Sequence, residues 1–387
     1  MNASGIVRAA RTGGIAAWIV CAVVGAGSLV AQTRPKTLDI YFIDTEGGQS
    51  TLYVGPTGES LLVDSGNAGE RDLGRILEVL ETAGVRQIDH MWSTHYHGDH
   101  VGALLALATA VPIAHFYDHG QPHPNDRIVS KAFLASYDEI SRGTRTIVKP
   151  GDRIRMPGLE ITTVASASQF VRTNLRGGGG SNAACAATRR MDESGYIDPD
   201  NGDSAGFVMA YGRFRTINLG DLTWNGEIDL MCPANRIGTV DLYLTSHHGL
   251  EKSGSPALVH ALEPRVAIMN NGTRKGGAPN AFRVLHESPG LEDLWQLHWS
   301  HNTGLDNAPA MFVANVDDAP TVAGVLAPPA GDARGGGPAA GGRGGRGGAA
   351  AAHSPAYLIK VSAEADGSFV VTNTRNGFRK AYRPRQR

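Results

Sequence analysis

An α/β fold is what the sequence predicts, on two observations. Short apolar runs bounded by Gly and Pro turn signals read as strands, and they alternate with segments whose apolar residues recur at helical spacing. The strands open with Thr37–Asp44, Ser50–Val54, Ser60–Asp64 and Gln87–Thr94. Before the last of these, Leu73, Ile76, Leu77 and Leu80 recur at i, i+3, i+4 and i+7, and Gly84 is the stop signal of that helix. Pro112–Tyr117 reads as the next strand and Arg127–Arg142 as a helix carrying Ile128, Phe133, Leu134, Tyr137 and Ile140. Pro150-Gly151-Asp152 and Pro157-Gly158 punctuate a strand pair, while the Gly-rich, poorly periodic Leu175–Arg190 reads as an exposed loop. Further strands are expected at Gly206–Tyr211, Thr216–Leu219, the apolar run from Val240, and Arg265–Asn270, with helices at Pro256–Leu262 and Asn280–Glu287. Ala356–Val361 and Ser368–Thr372 read as two last strands joined by Ala365-Asp366-Gly367.

The chemistry concentrates in His95-Tyr96-His97-Gly98-Asp99-His100, four potential metal ligands within six residues of a chain that has 14 His. Imidazole nitrogen and carboxylate oxygen suit borderline divalent cations such as zinc. Two His at i and i+2 on an extended strand end point the same way and can grip one ion. Asp99 and His100, on the turn into the next helix, can face a second ion about 3.5–4 Å away.

This His95-x-His97-x-Asp99-His100 string resembles the signature of the metallo-β-lactamase superfamily of binuclear metallohydrolases. That family's other marks follow in order: Asp64 after the strand Ser60–Val63, a metal-bridging Asp221 after Thr216–Leu219, and His247-His248-Gly249 at the end of another apolar strand. The resemblance spans about residues 37–317 and implies one αββα sandwich, two mixed sheets packed face to face with helices outside. It departs from the family in one respect, because no His lies between His123 and His247, where a third ligand for the first ion normally stands. Asp200-Asn201-Gly202-Asp203-Ser204 occupies that place and resembles a stretch of the ComEC-like competence-protein hydrolase domains. Asp203 is therefore expected as the replacement ligand, with Asn201 the alternative; a surface turn rich in Asp and Asn is the competing reading.

The resemblance implies a division of labour. His95, His97 and Asp203 would hold the first ion, Asp99, His100 and His247 the second, and Asp221 both. Either of His247 and His248 could be the ligand; with His247 in that place, His248 is assigned to protonating the leaving group. Asp64 would support a ligand His rather than touch metal, and Asn271, His298 and His301 could line the substrate pocket, although an ordinary surface or core His is the favoured reading of His298 and His301. Two divalent ions, Zn or alternatively Mn, sharing a water would lower its pKa towards neutrality. The true β-lactamases keep the third His and lack a bridging Asp, the reverse of this chain. A hydrolase of phosphodiester bonds is thus the leading expectation, ahead of a carboxylic ester or lactone hydrolase and of β-lactam cleavage; a non-catalytic metal-binding module of the same fold is the alternative from another class.

The ends of the chain bear on location and partners. Arg8 and Arg11 precede the apolar run Ile15–Val24 and the small-residue stretch to Ala31, the pattern of a secretory signal over residues 1–31. An uncleaved N-terminal membrane anchor is the competing reading; either way the protein is expected to be exported, periplasmic or secreted. Without residues 1–31 the balance is 34 Lys and Arg against 37 Asp and Glu, a net of −3. That balance favours a small-molecule substrate over long nucleic acid, which rewards a basic surplus. Cys185 and Cys232 would be the two remaining cysteines, and an oxidising compartment permits a bridge between them. Residues 32–329 form the expected hydrolase domain. The Gly/Ala/Arg-rich segment 330–354 leaves no apolar face to bury and reads as a disordered insertion, after which 355–387 complete the domain.

Overall fold

A computed structural model of the chain describes Met1 and residues 37–302, 306–317 and 356–386. The expected secretory leader and the Gly/Ala/Arg-rich insertion lie outside the described residues, Met1 apart.

Two nine-stranded sheets dominate the fold. The first runs, in spatial order, Arg379–Tyr382, Phe369–Asn373, Ile359–Ala363, Leu38–Phe42, Thr51–Val54, Ser60–Val63, Ile88–Trp92, Ile113–Asp118 and Arg145–Ile147. Its neighbours are antiparallel as far as Ser60–Val63 and parallel from there on. The second runs Val313–Asn315, Asp293–His298, Val266–Met269, Leu242–Leu244, Phe214–Asn218, Gly206–Tyr211, Leu159–Ser166 and Arg153–Met156, with the short Gln169–Phe170 paired to Leu159–Ser166. There too one half is parallel and the other antiparallel. The C-terminal strands join the first sheet by pairing Ile359–Ala363 antiparallel to Leu38–Phe42.

Three apolar clusters define four layers. One lies between the sheets and holds Ile40, Phe42, Trp92, Phe207, Phe214, Trp295, Ile359 and Phe369. Trp92 crosses that space, its ring 5.0 Å from Phe207 and its Nε1 donating to Ala205 O at 2.9 Å. The second cluster packs the helices Trp224–Met231, Pro256–Leu262 and Pro279–His286 on the outside of the second sheet, and the third packs Glu70–Ala83 and Lys131–Ile140 outside the first. Burying each such side chain contributes on the order of 1.5–3 kcal/mol. This is the mixed α/β architecture expected from the element order, two large mixed sheets between helices.

The predicted periodic helix is Glu70–Ala83, buried through Ile76, Val79 and Leu80, and Gly84 caps it at φ 74°. The expected helix over 127–142 is shorter, Lys131–Ile140, for a local reason. Asp126 Oδ1 accepts the N–H groups of Ile128 (2.7 Å) and Val129 (2.9 Å), closing a turn, and Ser130 then caps the helix through Phe133 N. The loop 175–190 is pinned at its far end, where Cys185 is disulfide-bonded to Cys232 with Cα atoms 5.8 Å apart. No helix among the described residues is long and apolar enough to cross a membrane.

Candidate metal centre

Parallel strands of both sheets end on the same side, and their C-terminal ends gather the polar residues, the usual place for a site in an α/β sheet. The first sheet brings Asp64, the His95–His100 stretch and His119 there; the second brings Asp221, His247-His248 and Asn270. Gly220 makes the meeting possible. It has φ +57°, and a Cβ on it would lie 2.6 Å from Thr94 Cβ, so this crossing point of the two sheets excludes any side chain.

Asp64 is the buried pivot of the first sheet's contribution. Its backbone is left-handed (φ 59°), and its side chain is saturated. Oδ1 accepts Thr94 N, and Oδ2 accepts Thr94 Oγ1, Gln49 Nε2 and His100 Nδ1, each at 2.8 Å. Burial raises its pKa against the pull of His100 and Thr94. With Nδ1 committed, His100 aims Nε2 into the site, 3.2 Å from Asp221 Oδ2, 3.3 Å from His248 Nε2 and 3.5 Å from Asp99 Oδ2. Burial alone would lower His100, but Asp221, Asp99 and Asp64 outweigh it and hold it well above the usual imidazole value.

His248 is fixed in the same manner. Its Nδ1 lies 3.2 Å from Asn270 Nδ2, and its Nε2 is 3.4 Å from Asp221 Oδ2 and 3.3 Å from Asp99 Oδ2. Asp99, His100, Asp221 and His248 thus present four ligand atoms all within 4.8 Å of one another. Where the sequence reading placed His247 in this set, the structure places His248. His247 Nε2 stays 3.5 Å from Asp221 Oδ2 while its Nδ1 turns to Ser253 Oγ at 3.3 Å. Burial and its imidazole neighbour push His247 down to about 4 against the pull of Asp221. Both residues are left-handed, at φ 54° and 57°, conformations that persist only where the surroundings enforce them.

His95 and His97 extend the group. His95 Nδ1 is 3.2 Å from Thr94 Oγ1, and its Nε2 is 4.0 Å from Asp221 Oδ2, fully buried and without a hydrogen-bond partner. Burial and the neighbouring His100 and His97 hold it well below the usual value. His97 Nε2 pairs with Asp126 Oδ2 at 3.0 Å, a contact that leaves its other nitrogen for an ion.

The donor set fits divalent cations. Asp221 Oδ1 and His95 Nε2 are buried polar atoms with no hydrogen-bond partner, and His100 and His248 face each other through ring nitrogens whose opposite nitrogens are engaged. Unpaired buried groups are costly without a partner; a cation supplies one to all of them.

Of the other expected residues, Asp203 Oδ1 accepts Ser168 Oγ, from the turn after Leu159–Ser166, at 2.5 Å. Asn201, the alternative, is buried with an Oδ1 that has no hydrogen-bond partner. Asn271 and His298 are fully buried, whereas His301 is exposed. Asn271 Nδ2 donates to His298 O (2.8 Å) and Gly272 O (3.0 Å), bracing a loop. His298 lies in an ion cluster, 2.7 Å from Asp44 Oδ1 and 3.2 Å from Asp317 Oδ2, with Arg75 3.0 Å from Asp44 Oδ2 and 3.2 Å from Glu46 Oε1.

That cluster gives a pH prediction. Burial would lower His298, but Asp44, Asp317 and Glu46 push it up to about 10. A folded value raised above the unfolded one near 6.5 stabilises the fold fully below about pH 6.5, and the stabilisation is lost as pH climbs to about 10. The expected loss is on the order of a few kcal/mol. Denaturant midpoints at pH 6 and pH 10 should therefore diverge in the wild type and converge in His298→Gln; an equal gap in both would refute the assignment.

Asp126 and Ser253 escaped the sequence reading, since turn and loop residues of these types carry no spacing signal. Asp126 alone had a local cue, a turn-forming Asn125-Asp126 pair ahead of the Ser130 cap.

Comparison with known proteins agrees with the geometry. The sequence profile of the Metallo-beta-lactamase superfamily matches residues 44–157, which include Asp64, the His95–His100 stretch and Asp126. The competence protein ComA of Neisseria gonorrhoeae is 23% identical over 259 residues, 67% of this chain but only 31% of that protein. Among solved structures, the metallo-beta-lactamase fold protein YhfI of Bacillus subtilis is 11% identical with a TM-score of 0.41, covering 67% of this chain and 96% of its own. CmlA, a diiron beta-hydroxylase of Streptomyces venezuelae, is 11% identical with a TM-score of 0.37, covering 67% of this chain and 48% of its own. The profile match over residues 44–157 and the two mixed sheets between helices agree with a metallo-β-lactamase fold, with candidate metal-binding groups at the strand ends.

Proposed function

We propose that this protein is an exported, binuclear metal-dependent hydrolase acting on phosphodiester bonds. The observation that supports it best is the position of Asp221, whose Oδ2 faces His100 and His248 at 3.2 and 3.4 Å and His95 at 4.0 Å. One carboxylate reaching two sets of imidazoles is the arrangement a bridging ligand requires. Divalent cations held there, Zn or Mn, would supply an activated water and polarise the substrate oxygen.

The chain's own residues prepare that chemistry. Asp64 takes the Nδ1 proton of His100, so the Nε2 lone pair faces inward. Asp126 accepts from His97 Nε2 in the same way, while Asn270 Nδ2 stands 3.2 Å from His248 Nδ1 and orients that ring. His95, His97 and Asp221 would hold one ion, with Asn201 Oδ1 as the uncommitted donor nearest in sequence to the missing third His. Asp99, His100, Asp221 and His248 would hold the other. His247 then stands beside Asp221 as an uncharged imidazole at neutral pH.

Two carboxylates beside four imidazoles, with no thiolate, make the donor set harder and more anionic than imidazoles alone, which suits phosphoryl oxygen. The competence-protein relative supports the same direction and, with the Cys185–Cys232 disulfide, supports export. The test is to purify the protein with its bound metal, measure metal content, and assay bis(p-nitrophenyl) phosphate, a lactone and a chromogenic cephalosporin side by side. Near two equivalents of metal with turnover of the phosphodiester is the expected result. Turnover of the lactone or cephalosporin alone would overturn the substrate, and neither metal nor turnover would indicate a binding module.

A further inference from the structure

Lys275 brings a positive charge to a centre built otherwise from imidazoles and carboxylates. Its ammonium contacts Asp99 Oδ2, the oxygen that lies 3.3 Å from His248 Nε2 and 3.5 Å from His100 Nε2. The Lys275 side chain is 37% exposed and that of Asp99 19%, so the ammonium stands on the solvent side of the group. Burial would raise Asp99, but Lys275 and His100 hold it well below the usual carboxylate range.

The position is not a chance reach of a floppy side chain. Lys275 sits in the loop after Val266–Met269, and that loop is tied on every side. Gly272 N donates to Lys275 O at 2.8 Å, Asn302 Nδ2 to Arg274 O and Gly276 O at 2.7 and 2.9 Å, and Gly277 N to His248 O at 3.1 Å. Gly276 has φ +76°, and a Cβ there would lie 2.1 Å from His248 O, so the loop backbone lies directly on the residue proposed as ligand. The buried Asn271 and the His298 cluster brace it from below. An ammonium has three donors, and Asp99 accepts one.

We infer that Lys275 is a specificity residue that recognises an anionic oxygen of the substrate beside the scissile bond. A phosphodiester carries one such charge at every turnover, whereas a neutral ester or lactone carries none. The inference rests on the hydrolase reading above and deepens it by naming the group that selects the charged substrate class. A lysine acting only to neutralise Asp99 would discriminate nothing.

The test uses the metal-loaded protein as wild type, Lys275→Arg and Lys275→Gln, with metal content measured for each. Inorganic phosphate is titrated calorimetrically, and kcat and KM are compared for bis(p-nitrophenyl) phosphate and the neutral p-nitrophenyl acetate. Lys275→Gln should weaken phosphate binding about tenfold and raise KM for the diester about tenfold with kcat nearly kept, the size of one partly exposed charge contact. Any loss with the neutral ester should be several-fold smaller than with the diester, and Lys275→Arg should retain most of the phosphate affinity. Equal phosphate affinity in wild type and Lys275→Gln, or loss of metal from Lys275→Gln, would overturn the inference. If wild type turns over neither ester, the hydrolase reading fails, while the phosphate titration still decides the role of Lys275.

Discussion

Asp221→Asn should cut metal-dependent turnover by on the order of 10³-fold or more and lower bound metal, with little change in fold. The side chain keeps its shape but loses its charge, and its amide nitrogen can no longer accept. Four imidazoles stand within 4.0 Å of Asp221 Oδ2: those of His100, His248, His247 and His95. No other carboxylate among the described residues serves so many. The backbone at this position is held independently, through Asp221 N donating to Ser204 Oγ at 3.2 Å and His247 N donating to Gly220 O at 3.0 Å. Folding should therefore survive. Metal content by mass spectrometry, turnover and a thermal melt on one preparation decide the point, and an Asn variant with full metal and wild-type turnover would remove Asp221 from the centre.

The parts of this centre that were legible in the sequence are those carried by strand ends. His95–His100, Asp64, Asp221 and His247-His248 each follow an apolar run at once, and parallel strands deliver such residues to one side of a sheet whatever the tertiary detail. The buried helix face at Ile76 and Leu80 was legible for the same reason, since periodicity is a local property. Illegible were the residues that loops bring from a distance: Asp126 against His97, Asn270 against His248 and Lys275 against Asp99. Asp203 has the expected place before Gly206–Tyr211, and its bond from Ser168, 35 residues away, carries no local signal. The surroundings of His298 and Asn271 were equally out of reach of the sequence, since three carboxylates from other segments face the one and the other braces a loop. The strand Asp293–His298 stayed hidden because the polar Gln296 interrupts its apolar run, and only the structure shows Gln296 buried and bonded to Asn307 at 2.9 Å.

Asp64→Asn should be as damaging as a ligand mutation although Asp64 faces no ion. The four groups on its carboxylate are all donors toward it: Thr94 N, Thr94 Oγ1, Gln49 Nε2 and His100 Nδ1. An amide in the same place keeps one acceptor oxygen and turns an NH₂ towards three of them. His100 can take the opposite tautomer, placing its proton on Nε2 towards Asp221 and His248, and with Gln49 Nε2 still facing the amide a buried donor is left unpaired as well. The first outcome weakens metal binding by about 10–100-fold, the usual effect of losing a partner behind a ligand His. The second destabilises the fold by roughly 1–3 kcal/mol per unpaired group. The left-handed backbone at residue 64 (φ 59°) separates the two, since Asn tolerates that conformation and the change adds no backbone strain of its own. Titration of metal into Asp64→Asn, alongside its denaturant midpoint, should show both losses together; wild-type metal affinity at lowered stability would confine Asp64 to the fold.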